Sequence, residues 1–375
     1  MIRRQEFIAT VVLIVGLLVS PWVAKAVGID VFRVEPERPA AFPSVEAAHL
    51  LDAPRFAQLD DYLADRMPLR GNAAQGATRA FAAASGTSPV NNVFIGDHGS
   101  LFLSDDFTNP CSVEYSADQL EDTLQRWEEA GSGREIYLAI APDKSSILTE
   151  FLPDRAEAAN SCQVDREAEF IEAFSDTDQL IDSWQALRDA ERPGSPHRNY
   201  FRYDAHWTFR GGLVFAEQVV DHLAPGQFKN ADIVQGRNRR NPGAIARRMG
   251  WEEFEFRNKL GCARAGTTTA TSLDQVGIHG VQHFQSTGTD DLIAGHTLVL
   301  HDSMMRYAED PLACHFESLE LLHWDDFDTA GFLDRIAGAD RIIIQSVQRS
   351  IYVRTVDQLL NPAIDEAISQ RLANN

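Results

Sequence analysis

Leu298-Val299-Leu300-His301-Asp302-Ser303 is an apolar run that stops on three polar residues. A short continuous run of this kind suits a strand buried on both faces. The carboxyl end of such a strand is where open α/β sheets place their ligands. About a hundred residues earlier stands Tyr203-Asp204-Ala205-His206-Trp207-Thr208, a polar segment before Gly211-Gly212 and the helical run 213–223. Together the two pieces hold a hydroxyl, an imidazole and a carboxylate. A serine hydroxyl becomes nucleophilic when an imidazole takes its proton. The imidazole in turn needs a carboxylate to fix its tautomer and steady its charge. Ser303, His206 and Asp204 are therefore the candidate catalytic residues, with a bend at Ala205 aiming Asp204 and His206 at one spot.

Other readings of the same residues stay open. Asp302-Ser303 also suits a helix N-cap, and Asp204 with His206 also suits a surface pair. Asp204, His206, His301 and Asp302 offer a donor set for a hydrolytic divalent metal, but an adjacent His-Asp metal dyad belongs on helices and here it ends a strand-like run. No metal and no cofactor is expected. His98, His197, His279, His283, His315 and His323 show no ligand spacing and read as surface or core residues. Trp207 is placed to wall the site, and Arg306 and Tyr307 follow Ser303 closely enough to hold an acyl or sugar oxygen. The Gly-x-Ser-x-Gly elbow of common lipases is absent.

Working outward, Ile136-Tyr137-Leu138-Ala139-Ile140, Leu319 to Leu322 and Arg341 to Ile344 read as further buried strands. Residues 93–103 read as a hairpin around a Gly- and Asp-rich turn. Helices are expected over 72–84, over 117–130 with Ser116 as cap and Gly131 as stop, near 165–174 and 178–190, over 332–336, and over 356–372. Strands alternating with helices give an α/β fold, a mostly parallel sheet with helices on both faces. Pro142-Asp143-Lys144-Ser145 follows the strand at 136–140 and reads as a rim of the cleft. Residues 225–295 read as an insertion between the catalytic halves, looped over 229–248, with a strand over 251–256.

The chain has 375 residues, 44% hydrophobic and 24% charged, enough for one large core and a second unit. Its net charge of -21 argues against attraction to nucleic acid or an anionic membrane surface. The acidity keeps the protein soluble, and a saline habitat would produce it as well. Arg3 and Arg4 precede an apolar run over 7–24, so the chain beyond that run is exported. The run is either an uncleaved signal anchor, the preferred reading given Pro21-Trp22, or a signal peptide cut near Ala24-Lys25-Ala26. Residues 28–44, with Pro36, Pro39 and Pro43, read as a stalk, followed by a helix over 44–65. The expected division is anchor or signal peptide over 1–27, stalk and juxtamembrane helices over 28–90, and a catalytic domain over 91–375. Four cysteines in an oxidising space suit disulfides. Cys111 is paired with Cys162 and Cys262 with Cys314; buried free thiols are the alternative.

These residues together resemble the alginate O-acetyltransferase family of exported, SGNH-hydrolase-like proteins. The likeness rests on Tyr62 to Arg70, the hairpin, the Pro142-Asp143-Lys144-Ser145 loop, Asp204-Ala205-His206-Trp207, Asp302-Ser303 and the late strand over 340–349. It implies an SGNH-like three-layer sandwich preceded by an N-terminal membrane anchor. It implies that Ser303 carries an acetyl group, with His206 as base then acid and Asp204 orienting it. The implied acceptor is a hydroxyl of an exopolysaccharide, and the implied donor partner is a membrane-bound O-acyltransferase. The implied location is extracytoplasmic, in the periplasm or at the cell surface, anchored to the cytoplasmic membrane. His301 stands where the family has glycine, and Gln348 where it often has glutamate. Too few residues follow Ser303 for a further carbohydrate-binding domain, so alginate itself is not implied. An exported carbohydrate acetylesterase that uses water, and a non-catalytic glycan-binding or assembly protein, are the alternatives.

Overall fold

The computed structural model describes residues 70–374 apart from 91, 111, 113–115, 192–197, 276, 289 and 290, together with a few isolated positions between 11 and 58. The expected anchor, stalk and helix over 44–65 lie almost wholly outside the described residues. Among the described residues, no helix is long and apolar enough to cross a membrane.

The chain divides into two compact units, residues 1–93 with 242–254, and residues 94–241 with 255–375. In the first, helix α1 (Arg70–Ser85) spans the expected helix and ends at Gly86, whose φ of 64° suits a C-terminal cap. Arg79 pairs with Glu253 and lies over the Trp251 ring, and the indole N–H donates to Thr78 Oγ1 at 3.0 Å.

The second unit carries the sheet. Strands β1 (Val93–Ile95) and β2 (Leu101–Leu103) form the expected hairpin. Helix α2 (Ala117–Ala130) follows, closed at its start by a capping box between Ser116 and Gln119. Strand β3 (Glu135–Ala141) leads to helix α3 (Asp154–Ala173), the two-residue β4 (Leu180–Ile181), and helices α4 (Trp184–Ala190) and α5 (Phe209–Leu223). Then come β5 (Ile233–Pro242), β6 (Phe254–Cys262), β7 (Thr268–Asp274), β8 (Val281–Thr287), β9 (Ile293–His301) and β10 (Phe316–His323). Helix α6 (Thr329–Ile336), β11 (Arg341–Val347) and helix α7 (Pro362–Ala373) complete the chain.

The central sheet has the order β4-β3-β11-β9-β10-β8-β7. The first five run parallel, and β8 and β7 add an antiparallel pair at one edge. The parallel strands are the continuous apolar runs of the sequence, because helices cover both faces. Helix α7 packs against both α2 and α6, and α4 packs against α5. Trp127, Trp184, Trp207, Tyr200 and Phe215 are fully buried in the core between sheet and helices. Burying one such large side chain is worth roughly 1.5–3 kcal/mol.

Several local expectations differ from the observed elements. The strand expected over 251–256 starts at Phe254 and runs to Cys262, and the helix expected near 165–174 starts already at Asp154. Residues 229–248, read as a loop, contain β5, which is exposed along most of its length and pairs with β6. With neither face buried, the strand leaves no alternation in the sequence. The helix expected over 178–190 begins only at Trp184, because 180–181 pairs with β3. The closing helix is broken at Asn361-Pro362, where the Asn361 side chain caps a new helix that starts with proline.

Candidate active site

Two elements position the candidate nucleophile. β9 ends at His301, and the chain turns at Asp302 before a 3-10 turn over Met305–Tyr307. Asp302 is buried and its carboxylate is fully engaged: Oδ1 accepts from Met304 N at 2.9 Å and Gln345 Nε2 at 3.2 Å, and Oδ2 accepts from Val347 N at 2.6 Å. Asp302 thus acts as the N-cap-like latch of the turn, and leaves Ser303 exposed at its apex.

The His206 loop is built by short-range hydrogen bonds. Phe201 N donates to His206 O at 3.2 Å, and Tyr200 and Trp207 form an antiparallel bridge. Asp204 Oδ1 accepts from the His206 backbone N–H at 3.2 Å and stands 2.7 Å from His206 Nδ1. A carboxylate there makes Nδ1 the donor and leaves the Nε2 lone pair free. Nε2 faces Ser303 Oγ at 2.8 Å. The second Asp204 oxygen accepts from Asn241 Nδ2 at 3.1 Å. Burial alone would raise the Asp204 pKa, but His206 and its hydrogen bonds, with that of Asn241, hold it well below the usual carboxylate range.

Trp207 departs from its expected place. It is fully buried, and its indole N–H donates to Met304 O at 2.8 Å. An aromatic whose polar tip is satisfied in the core cannot wall a cleft; here it ties the His206 loop to the Ser303 turn. Gly212 serves the same junction, since a Cβ on it would stand 2.2 Å from Tyr307 O. Tyr307 is mostly buried, with its ring centroid 5.7 Å from that of His206 and its hydroxyl 3.5 Å from Asn241 Oδ1. Burial, and behind it the Asp204 charge, keep its hydroxyl protonated far above neutrality. Arg306, three residues after Ser303, is exposed.

The Pro142-Asp143-Lys144-Ser145 loop is not a cleft rim. Asp143, Lys144 and Ser145 are all buried. Asp143 accepts from Arg349 N at 2.7 Å and pairs with the Arg349 guanidinium. Gln348 Oε1 accepts from Asp143 N, Ser146 Oγ and Trp184 Nε1. Lys144 Nζ donates to Leu101 O and to Arg202 O, both at 2.8 Å, so it joins the hairpin to the approach of Asp204. Burial pushes Lys144 down to about 7, against the opposing pull of Glu255, Asp204 and Asp106.

His301, the departure from glycine, is engaged with Asp302 and His323. Its Nδ1 stands 2.8 Å from Asp302 O and its ring packs edge-on against His323, with centroids 5.3 Å apart. Burial pushes it down to about 4. Asp204, His206, His301 and Asp302 therefore do not converge on one point as a metal set would. Sequence reasoning missed Asn241, which sits in the basic run Arg239-Arg240-Asn241-Pro242, where neither periodicity nor a motif marks it.

A protein-family model described as the SGNH hydrolase-like domain of acetyltransferase AlgX matches residues 93–296. The chain belongs to the AlgX family. The matched segment contains Asp204 and His206 and stops short of Ser303. The AlgX-like fold is thus an SGNH-type α/β sandwich with a mixed central sheet, and the family is one of O-acetyltransferases. No curated protein matches the chain. Among solved structures, it is similar to a DHHW family protein from Eubacterium siraeum, at 12% identity and a TM-score of 0.49, covering 75% of this chain and 96% of that one. It is similar to the O-acetyltransferase domain of Pseudomonas putida AlgJ, at 13% and 0.46, covering 74% and 99%. It is also similar to Pseudomonas aeruginosa AlgX, at 13% and 0.44, covering 68% and 61%. In this AlgX-family member the expected bond between Cys262 and Cys314 is present. Cys162 is disulfide-bonded too, while Cys111 lies outside the described residues.

Proposed function

We propose that this AlgX-family protein moves an acetyl group through an ester on Ser303 to a hydroxyl of an exopolysaccharide or cell-surface glycan. The observation that carries the reading is the row formed by an exposed Ser303 Oγ, His206 Nε2 at 2.8 Å, and Asp204 at 2.7 Å from the far ring nitrogen. In the first half, Ser303 Oγ attacks the acetyl carbonyl and its proton passes to His206 Nε2. The donor's oxygen leaves with that proton, and the acetyl stays on Ser303. In the second half His206 takes the proton of the acceptor hydroxyl, which attacks the Ser303 ester, and returns a proton to Oγ. Asp204 keeps the imidazole oriented and offsets its charge. In this reading Arg306 and Tyr307, three and four residues after Ser303, hold acyl or sugar oxygens.

The proposal extends to the setting. The N-terminal run over 1–27 holds or exports the chain, residues 28–90 space it from the membrane, and residues 91–375 work in the periplasm or at the cell surface. A membrane-bound O-acyltransferase supplies the acetyl group.

The test is incubation of the soluble chain with an acetyl ester, with and without oligosaccharide acceptors. Acetylated oligosaccharide, lost in Ser303→Ala, is the expected result. Acetate release with no sugar modified under any acceptor would leave the esterase reading in its place. Polymer acetylation unchanged in cells carrying Ser303→Ala would leave the non-catalytic one.

A further inference from the structure

One side-chain cluster outside the proposed site is not used by the acetyl-transfer chemistry. His323 ends β10, directly in register with His301 of β9. It therefore lies on the carboxyl edge of the sheet that also carries Ser303. His323 is buried, with its Nδ1 accepting from Asp325 N at 3.1 Å. That hydrogen bond keeps Nδ1 unprotonated, in the form that ligates metals. Asp325 Oδ2 lies 3.6 Å from His323 Nδ1 and 3.3 Å from His279 Nε2. The two imidazole rings are 3.9 Å apart at their centroids. One donor atom from each of the three residues lies within 4.8 Å of the others.

The two distances from Asp325 Oδ2 are close to those within a ligand set. Around a tetrahedral ion with nitrogen and oxygen donors at about 2.0–2.1 Å, neighbouring donor atoms stand about 3.3 Å apart. Two imidazoles and one carboxylate are a donor set that borderline metals accept.

The loops that bring them together are fastened to each other. The neighbouring residue, Asp326, accepts from the backbone N–H groups of Ile278, His279 and Gly280. The fastening needs glycine at 277: its φ is 70°, and a Cβ there would stand 2.1 Å from Asp326 Oδ1. A residue that holds ligand-bearing backbone in place does the work of an outer coordination shell. Arg354 approaches the other oxygen of Asp325, at 3.7 Å, and leaves Oδ2 to the two histidines. His279 and Asp325 are both about half exposed, so solvent reaches the cluster.

We propose that His279 Nε2, His323 Nδ1 and Asp325 Oδ2 bind one divalent transition-metal ion of the zinc class, with a fourth position open to water. Binding exchanges the 3.1 Å hydrogen bond on His323 Nδ1 for a metal bond. No step of the chemistry at Ser303 runs through this ion.

The experiment is calorimetric titration of the tag-free full chain with zinc after removal of metal by a chelator, paired with zinc-edge X-ray absorption on the loaded protein. One zinc per chain is expected, with two imidazole nitrogens in its shell. His279→Ala and Asp325→Ala, both exposed and tolerable to the fold, should each weaken binding at least about tenfold. Asp326→Asn should weaken it through the loop while leaving the three donors present. Saturation only at millimolar zinc would overturn the proposal and leave a histidine–aspartate ion pair. So would affinity unchanged in both alanine variants, which would put the ion elsewhere.

Discussion

At the level of single residues, the site depends on how Asp204 is held. Its buried carboxylate is kept charged by His206 on one oxygen and Asn241 on the other. A hydrogen bond to a charged group is worth about 1.5–3 kcal/mol. Asn241→Ala should therefore lower kcat with an acetyl ester by about ten- to a hundredfold, with the folded structure retained by circular dichroism. Asn241→Asp places a second negative charge against Asp204 and should do at least as much damage at neutral pH. Unchanged kcat in both would remove Asn241 from the account. Lys144 gives a pH signature. An unfolded lysine titrates near 10.4, and burial brings this one down to about 7. Between those values the unfolded chain binds a proton that the folded chain does not. The stability due to Lys144 is therefore lowest below pH 7 and rises with pH toward 10. The unfolding free energy of wild type minus that of Lys144→Met should rise across that interval. A difference that is flat with pH would contradict a buried, largely neutral Lys144 at high pH.

At the level of elements, catalytic geometry is set by how α5 meets the turn after β9. Trp207 and Gly212 lie on one side of that contact, Met304 and Tyr307 on the other. Gly212→Ala drives a methyl group into the Tyr307 carbonyl. Overpacking of this kind costs about 1–3 kcal/mol, and here it also pushes His206 away from Ser303. Acetyl transfer should fall by more than the loss of folded protein explains. Gly76→Ala is the control: nothing lies within 4 Å of its Cβ, in a helix where alanine is favoured. Its unfolding midpoint should rise slightly, measured by thermal melt beside Gly212→Ala. Equal behaviour of the two variants would mean that the α5 contact does not position the site.

For the whole molecule, Cys262–Cys314 ties β6 to the segment just before β10, across 52 residues. Its removal in Cys262→Ala/Cys314→Ala should cost about 2–4 kcal/mol of unfolding free energy, read from urea midpoints, while the Asp204–His206–Ser303 row keeps its spacing and activity. The parallel heart of the sheet was readable in advance, because β3, β9, β10 and β11 are largely buried and each carries a short apolar run. The helix at 117–130 was readable from its cap. What stayed hidden has physical causes. β5 buries no face, β4 is two residues long, and Asp143 and Lys144 look like loop residues until Arg349 and two distant carbonyls meet them. Trp207 beside a catalytic-looking pair suggested a cleft wall, yet its indole is spent on the core. His279 and His323 are 44 residues apart in sequence, so only the antiparallel register of β8 and β10 and the Asp326 clasp make them neighbours.

The central claim is that the hydroxyl of Ser303 carries the acetyl group. Mass spectrometry of the chain quenched in acid after brief exposure to an activated acetyl ester tests it most directly. The account predicts one acetyl group per chain, on the peptide containing Ser303, absent in Ser303→Ala and formed far more slowly in His206→Ala. Acetyl found on a different residue, or full turnover by Ser303→Ala, would contradict it.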